Sequence, residues 1–274
     1  MHPICTTCGT QFAESEAAPE RCPICEDERQ FVGWAGQGWT TLEDLRAHHR
    51  IALQDEGDGL LGIGCEPRFA IGQRALLVPA PAGELPGRNM LWDCISLIDA
   101  AAVRVVEALG GLAGIAVSHP HYYSSMVEWS RAFGGVPIWL HEDEREWVMR
   151  PDPAIRFWRG ETLQIGDGLT LIRLGGHFPG AQVLHWAGGA EGRGVLLAGD
   201  ILQVVQDRRF VSFMYSYPNY IPLPAATVRS MVERLEPYPF ERIHGAWFDA
   251  VVRADGKAAL RRSAERYIRA LDGA

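Results

Sequence analysis

Two hydropathy regimes divide the chain. The first 40 residues hold little that could form a core, whereas from about residue 60 onward short apolar runs alternate with amphipathic stretches. FAIGQRALLVPA (69–80) and RNMLWDCIS (88–96) read as strands joined by the turn-rich PAGELPG (81–87). DAAAVRVVEALGG (99–111) predicts a helix, with Asp99 at its start and glycines at its stop. LAGIAVS (112–118) is continuously apolar, as a buried strand would be, and delivers the chain into HPH. SMVEWSRAFGG (125–135) predicts a helix with Ser125 and Glu128 as a capping box, and VPIWLH (136–141) a strand. LTLIRL, VLHWA, GVLLAGD and FERIHG are further strand candidates, with helices near 225–236 and 256–271. Before this block, a weak linker, GWAGQGW, leads to TTLEDLRAHH, where Thr40 with Glu43 predicts the capping box of a short helix. The expected division is a module at 1–40, a helical linker at 41–59 and one domain at 60–274. The alternation argues an α/β sandwich of layered sheets.

Composition narrows the class. Of 274 residues, 47% are hydrophobic and only 22% charged, enough to bury a real core. The net charge of −8 disfavours broad contact with nucleic-acid phosphates. No apolar run approaches a membrane span, and MHPICTTCGT does not read as a signal peptide. The expectation is a soluble, cytoplasmic protein.

Cysteine usage changes the picture of the first 40 residues. CTTC (Cys5, Cys8) and CPIC (Cys22, Cys25) are two Cys-x2-Cys knuckles, the spacing that closes four thiolates on one tetrahedral Zn²⁺. Four thiolates leave no open position, so the ion would be structural. The module carries six acidic and two basic residues, a net charge of −4, so it is a poor phosphate binder. A docking or stabilising role is expected, with a homo-oligomer as one form it could take.

Histidine and aspartate supply the rest of the chemistry. SHPH (His119, His121), GGHFPG (His177), LLAGD (Asp200) and RIHGAW (His244) each stand where an apolar strand gives way to a loop. Loops at sheet edges are where α/β proteins bring distant residues together. A lone histidine is more often a packed or solvated residue; four such places together argue a metal site. An aspartate directly after an apolar strand would be costly to bury unless paired or metal-bound.

These motifs, in this order, resemble those of the metallo-β-lactamase superfamily over roughly residues 60–250. The resemblance implies an αββα metallo-β-lactamase-like sandwich, here with a small N-terminal zinc ribbon. It also implies a first metal site of His119, His121 and His177, with Asp200 bridging towards a second that includes His244. The family's first motif usually runs His-x-His-x-Asp-His, but Tyr123 and Ser124 occupy its last two positions, which leaves the second site degenerate. Tyr123 has three readings: a phenolate ligand, a donor to a developing oxyanion, or a packed ring.

Three neutral histidines suit Zn²⁺ and leave a position for water, which the metal can make available as hydroxide near pH 7. Asp200 would orient or deprotonate that water, His244 would assist proton transfer, and Tyr123 or Tyr122 would stabilise charge. The expected activity is hydrolysis of a small-molecule ester, thioester, lactone or amide. Phosphodiester cleavage is less expected because it commonly uses two metals. His119, His177 and Asp200 also form a two-His, one-carboxylate set suited to Fe²⁺ and O₂, as in a non-heme iron oxygenase acting on a thiol or persulfide. A non-catalytic, metal-stabilised interaction protein is the third reading.

The remaining histidines have plainer expectations. His48 and His49 read as solvated, His185 as a core residue or a partner of a ligand, and His141 as neighbour to an acidic run that forms a solvated face. The aromatic segment FVSFMYSYPNYIPLP (210–224) is either a packed surface loop or a wall of the cleft.

Overall fold

The computed structural model describes residues 1–79 and 88–273, so the expected turn at 81–87 lies outside the described residues. Two sheets form the body. A seven-stranded sheet runs in chain order through Arg50–Gly57, Leu60–Glu66, Ala75–Pro79, Asn89–Trp92, Leu112–Ala116, Ile138–His141 and Ile155–Trp158. It is antiparallel as far as Asn89–Trp92 and parallel beyond it. A six-stranded sheet follows: Thr162–Gly166, Leu169–Arg173, Gln182–Trp186, Val195–Gly199, Arg242–Gly245 and Val251–Val252.

The apolar runs are continuous because both faces of each sheet are covered. Leu76 and Val78 join Val195 and Leu197 in the layer between the sheets. Their neighbours in sequence point the other way: Ala75 and Leu77 pack beneath the helices Ala100–Ala108 and Met126–Ala132. Leu196 and Ala198 pack beneath Ala225–Leu235 and Gly256–Leu271. The result is the αββα sandwich that the motif order implied, the metallo-β-lactamase fold.

Local expectations hold where the capping chemistry is unopposed. Asp99 accepts a hydrogen bond from the Ala102 amide at 2.7 Å and starts its helix. The other two caps differ. Thr40 pairs with Ile4 in a two-stranded ribbon, so the next residue, Thr41, caps Leu42–His48 by accepting from the Asp44 amide. Ser125 makes no capping bond, and Glu128 turns instead to Arg150.

The segment expected as a helical linker, 41–59, is helix only to His48. Arg50–Gly57 forms a hairpin with Leu60–Glu66, turned by Asp58 and Gly59, both with positive φ (55° and 80°). Asp-Gly suits that turn because glycine adopts the left-handed region without cost and aspartate tolerates it. Half of the expected linker is therefore a sheet strand. The acidic run after His141 is not wholly a solvated face either. Glu144 is buried, because the Gly180 amide donates to its carboxylate.

The four-cysteine module lies against the sandwich. The Gln11 amide donates to the Ser124 carbonyl at 3.0 Å, the Ala13 amide to Met149 at 3.1 Å, and the Ser96 hydroxyl to Gly9 at 2.7 Å. Among the described residues, no helix is long and apolar enough to cross a membrane.

A buried ion pair ties the hairpin to the second sheet. Arg74 donates from Nε to Glu56 at 2.7 Å and from Nη1 to the Gly245 carbonyl at 2.8 Å, and both charged side chains are at most 2% exposed. Removing one partner leaves an uncompensated buried charge. Glu56→Ala is expected to destabilise the protein by about 3–5 kcal/mol, read as a fall in the urea midpoint. An unchanged midpoint would show that the pair holds nothing.

Candidate metal centre

Each candidate ligand is placed by a strand end. Leu112–Ala116 delivers His119, and a short 3₁₀ turn, Pro120–Tyr122, carries His121. Leu169–Arg173 leads through Gly175 and Gly176 to His177. Gly176 has φ +83°, and a Cβ there would come within 2.9 Å of Leu223, so the turn requires glycine. Val195–Gly199 delivers Asp200, and Arg242–Gly245 contains His244.

The structure brings His119, His121 and His177 together, with ligand atoms all within 4.8 Å of one another. His177 Nε2 lies 3.2 Å from His121 Nδ1. Two nitrogens on one tetrahedral ion, at bond lengths near 2.0–2.1 Å, stand about 3.3 Å apart. The ring orientations are fixed from behind. His177 donates from Nδ1 to the Tyr215 carbonyl at 2.8 Å, which leaves Nε2 with its lone pair facing inward. His119 Nδ1 meets the Ser118 hydroxyl at 2.9 Å, and the Ser118 amide donates to Asp93 at 2.8 Å. Asp200 Oδ1 approaches His119 Nε2 at 3.3 Å.

Burial sets the charge state. It lowers the pKa of His119 and His121 well below the usual value and that of His177 to about 4, so the imidazoles are neutral, as ligands must be. The same burial raises Asp200 and Asp93 to about 7. His119 Nε2 and Asp200 Oδ1 are buried without a hydrogen-bond partner among the described residues; so is His121 Nε2, but the nitrogen of that ring that meets His177 is Nδ1. Orphaned polar atoms of this kind are costly, and a cation held with His177 Nε2 and His121 Nδ1 would remove the cost at His119 Nε2 and Asp200 Oδ1. The residues fit a metal ion.

The four cysteines also converge. Cys5 Sγ lies 3.6 Å from Cys25 Sγ, and Cys8 Sγ 3.8 Å from Cys22 Sγ. A disulfide would set them about 2.05 Å apart, whereas four thiolates on one Zn²⁺ at about 2.3 Å stand about 3.8 Å apart. Cys65 and Cys94 lie elsewhere and are free.

The other candidates fall differently. His244 is fully buried with neither ring nitrogen partnered among the described residues, and it is not part of the three-histidine cluster. Burial and the charges of Arg74 and Arg242 depress its pKa to about 3. Tyr123 packs in the core beneath the first sheet, while the tyrosine beside the cluster is Tyr122, its ring centre 4.5 Å from that of His119. Burial, then the Asp200 charge, raises the Tyr122 pKa well above its ordinary value; its hydroxyl has no hydrogen-bond partner of good geometry. His185 is a core residue, 2.7 Å from the Pro239 carbonyl. His48 is exposed, whereas His49 is half-buried, its Nδ1 2.9 Å from the Pro67 carbonyl. The aromatic segment divides: Tyr215 holds His177, the Tyr217 hydroxyl donates to the Asp200 carbonyl at 2.5 Å, and Tyr220 is 84% exposed.

The sequence reading does not single out Arg29, Arg74, Asp93 or Glu144, four charged residues that the fold largely buries. Asp93 follows the apolar strand NMLW as Asp200 follows LLAG, so the same signal was available for it. The others carry no local signature.

Comparison with known proteins gives one close relative in sequence and many in fold. No family model matches the chain. The uncharacterized protein YmaE of Bacillus subtilis (strain 168) is 50% identical over 271 residues, 98% of this chain and 96% of that protein. Among solved structures, VMB-1 superposes with a TM-score of 0.60 at 14% identity, over 81% of this chain and 98% of that one. The metallo-β-lactamase DIM-1 gives 0.58 at 11%, over 81% and 98%. The metallo-β-lactamase FIM-1 of Pseudomonas aeruginosa, solved in a mono-zinc form, gives 0.57 at 12%, over 80% and 96%. At these identities the likeness to the solved structures is one of fold.

Glu144 supports the His177 loop through Gly180, and burial pushes its carboxyl up to about 7. A raised acid binds its proton more tightly in the folded chain, so its share of the stability falls as pH rises from about 4.5 to about 7. Glu144→Gln is expected to gain stability relative to the parent across that window and to hold a constant advantage above it. Urea unfolding at a series of pH values checks this, and parallel profiles would refute it.

Proposed function

Because this chain belongs to one family with YmaE and has the metallo-β-lactamase fold, we propose that it is a metal-dependent hydrolase of a small-molecule ester, thioester, lactone or amide. The cleft would hold one ion through His119, His121 and His177, and the four cysteines a structural Zn²⁺. The observation that carries this reading is the convergence of three neutral, buried imidazoles at ligand spacing, with His119 Nε2 left unpartnered among the described residues.

When bound, Zn²⁺ in such a site supplies a Lewis acid that lowers the pKa of water to about 7. Asp200, whose Oδ1 lies 3.3 Å from His119 Nε2, is placed to orient the water or accept its proton. Ser118 and the Tyr215 carbonyl hold His119 and His177 in orientation. Tyr122 stays protonated and faces Asp200, so it can donate to charge that develops there. FIM-1 in its mono-zinc form accords with a one-ion cleft.

The 3.3 Å approach of Asp200 to His119 supports a second reading. With His177 they would form the two-His, one-carboxylate set for Fe²⁺ and O₂.

Elemental analysis separates these readings. The native chain is expected to carry two zinc ions and the Cys5→Ala/Cys8→Ala variant one. His177→Ala should lose the cleft ion and, with it, hydrolysis of nitrophenyl esters and thioesters by at least about 100-fold. One iron in the cleft, with oxygen uptake on a thiol, would establish the second reading instead. An intact cleft ion without turnover on either panel would sink both.

A further inference from the structure

The residues after the last ribbon cysteine form part of the metal cleft. Glu28 accepts from the Tyr215 hydroxyl at 2.6 Å, and the carbonyls of Glu28 and Gln30 accept from Asn219 at 2.9 and 3.1 Å. The Arg29 carbonyl accepts from the Ser216 hydroxyl at 3.1 Å. These bonds hold the Arg29 side chain inward, its guanidinium carbon 4.3 Å from the centre of the Phe178 ring and 4.9 Å from that of Tyr215. Phe178 is the residue after His177, and its ring centre lies 4.9, 5.2 and 5.7 Å from those of His121, His177 and His119.

Arg29 is therefore a second-row neighbour of all three histidines, although it belongs to another part of the chain. Its side chain is only 13% exposed. Nη1 donates to Asp27 at 3.0 Å, but Nε is buried with no acceptor among the described residues. A buried guanidinium donor without an acceptor is costly. A fixed positive charge beside a cation site is unfavourable as well. An anion held by the guanidinium would relieve both. The guanidinium fork suits a carboxylate, and Phe178 and Trp147 offer apolar walls beside it.

We propose that Arg29, carried into the cleft by the four-cysteine module, is the residue that recognises a carboxylate on the substrate. The claim about substrate class rests on the hydrolase reading; the claim about anion binding does not. Arg29 selects among substrates, and the module's role is to hold it in place.

The test uses the full, metal-loaded chain, with phenylacetate and its neutral counterpart phenylacetamide as probes. Binding is followed by tryptophan fluorescence, since Trp147 lies 6.0 Å from the guanidinium. The native protein is expected to prefer phenylacetate by about tenfold or more, the value of a charge-assisted hydrogen bond. Arg29→Gln should abolish the preference with metal content and melting temperature unchanged, and Arg29→Lys should keep part of it. Carboxylate binding by the metal alone would survive Arg29→Gln and overturn the proposal, as would equal binding of the two probes by the native chain. In the hydrolysis arm, Arg29→Gln should raise KM for mono-4-nitrophenyl glutarate about tenfold more than for 4-nitrophenyl butyrate. If neither ester is cleaved but the phenylacetate preference depends on Arg29, the hydrolase reading fails and the anion site stands.

Discussion

The burial of three neutral imidazoles and a carboxylate with unanswered lone pairs is the constraint on which the rest depends. Protonation would not relieve it, since burial already drives the histidines far below their ordinary pKa. Hydrogen bonds within the chain relieve it only from behind, through Ser118 and the Tyr215 carbonyl. What remains is a demand for positive charge at one point. The sandwich supplies that point because strands covered on both faces can end abruptly at one edge, where the loops of His119, His177 and Asp200 meet.

A second constraint is the size of the cysteine module. Its own apolar cluster amounts to Phe12, Ile24 and the cysteines, too small to stand without help from a metal or a neighbouring surface. It has both. Trp147, Met149 and Ile71 pack against it from the sandwich, and its last segment bonds to the Tyr215–Asn219 loop. Tyr215 thus faces two ways, its carbonyl orienting His177 and its hydroxyl holding Glu28. Displacement of the module would disturb the cleft through that residue. The two metal-binding clusters are mechanically joined.

The sandwich was legible in the sequence because its signals are local and periodic. Runs such as LAGIAVS and GVLLAGD, the Asp99 cap, and four ligand-bearing loops at strand ends each declare themselves within a dozen residues. The hairpin at 50–66 is marked only by its Asp58-Gly59 turn, and the strong helix signal just before it hides the strand that follows. Glu128 looks like half of a capping box, yet Arg150, 22 residues on, takes it. Arg29 could not be found this way. Its position depends on Asn219 and Tyr215, some 190 residues away, and on how a separate module docks. The same holds for Glu144, where a charge in an acidic run is drawn inward by a single amide, that of Gly180.

The departure at Tyr123 and Ser124 gains a physical meaning from the surrounding charges. Tyr123 has turned into the core, and Ser124, at φ +45°, accepts from Gln73 at 3.0 Å while its carbonyl receives the Gln11 amide of the module. Neither position is free to hold an ion. His244 lies instead in the field of Arg74, a buried guanidinium anchored by Glu56 and the Gly245 carbonyl. A second divalent cation there would face a fixed positive charge that the fold cannot move without breaking a buried pair. The loss of two ligands and the presence of Arg74 act in the same direction. Both bear on His244, which stands outside the three-histidine cluster.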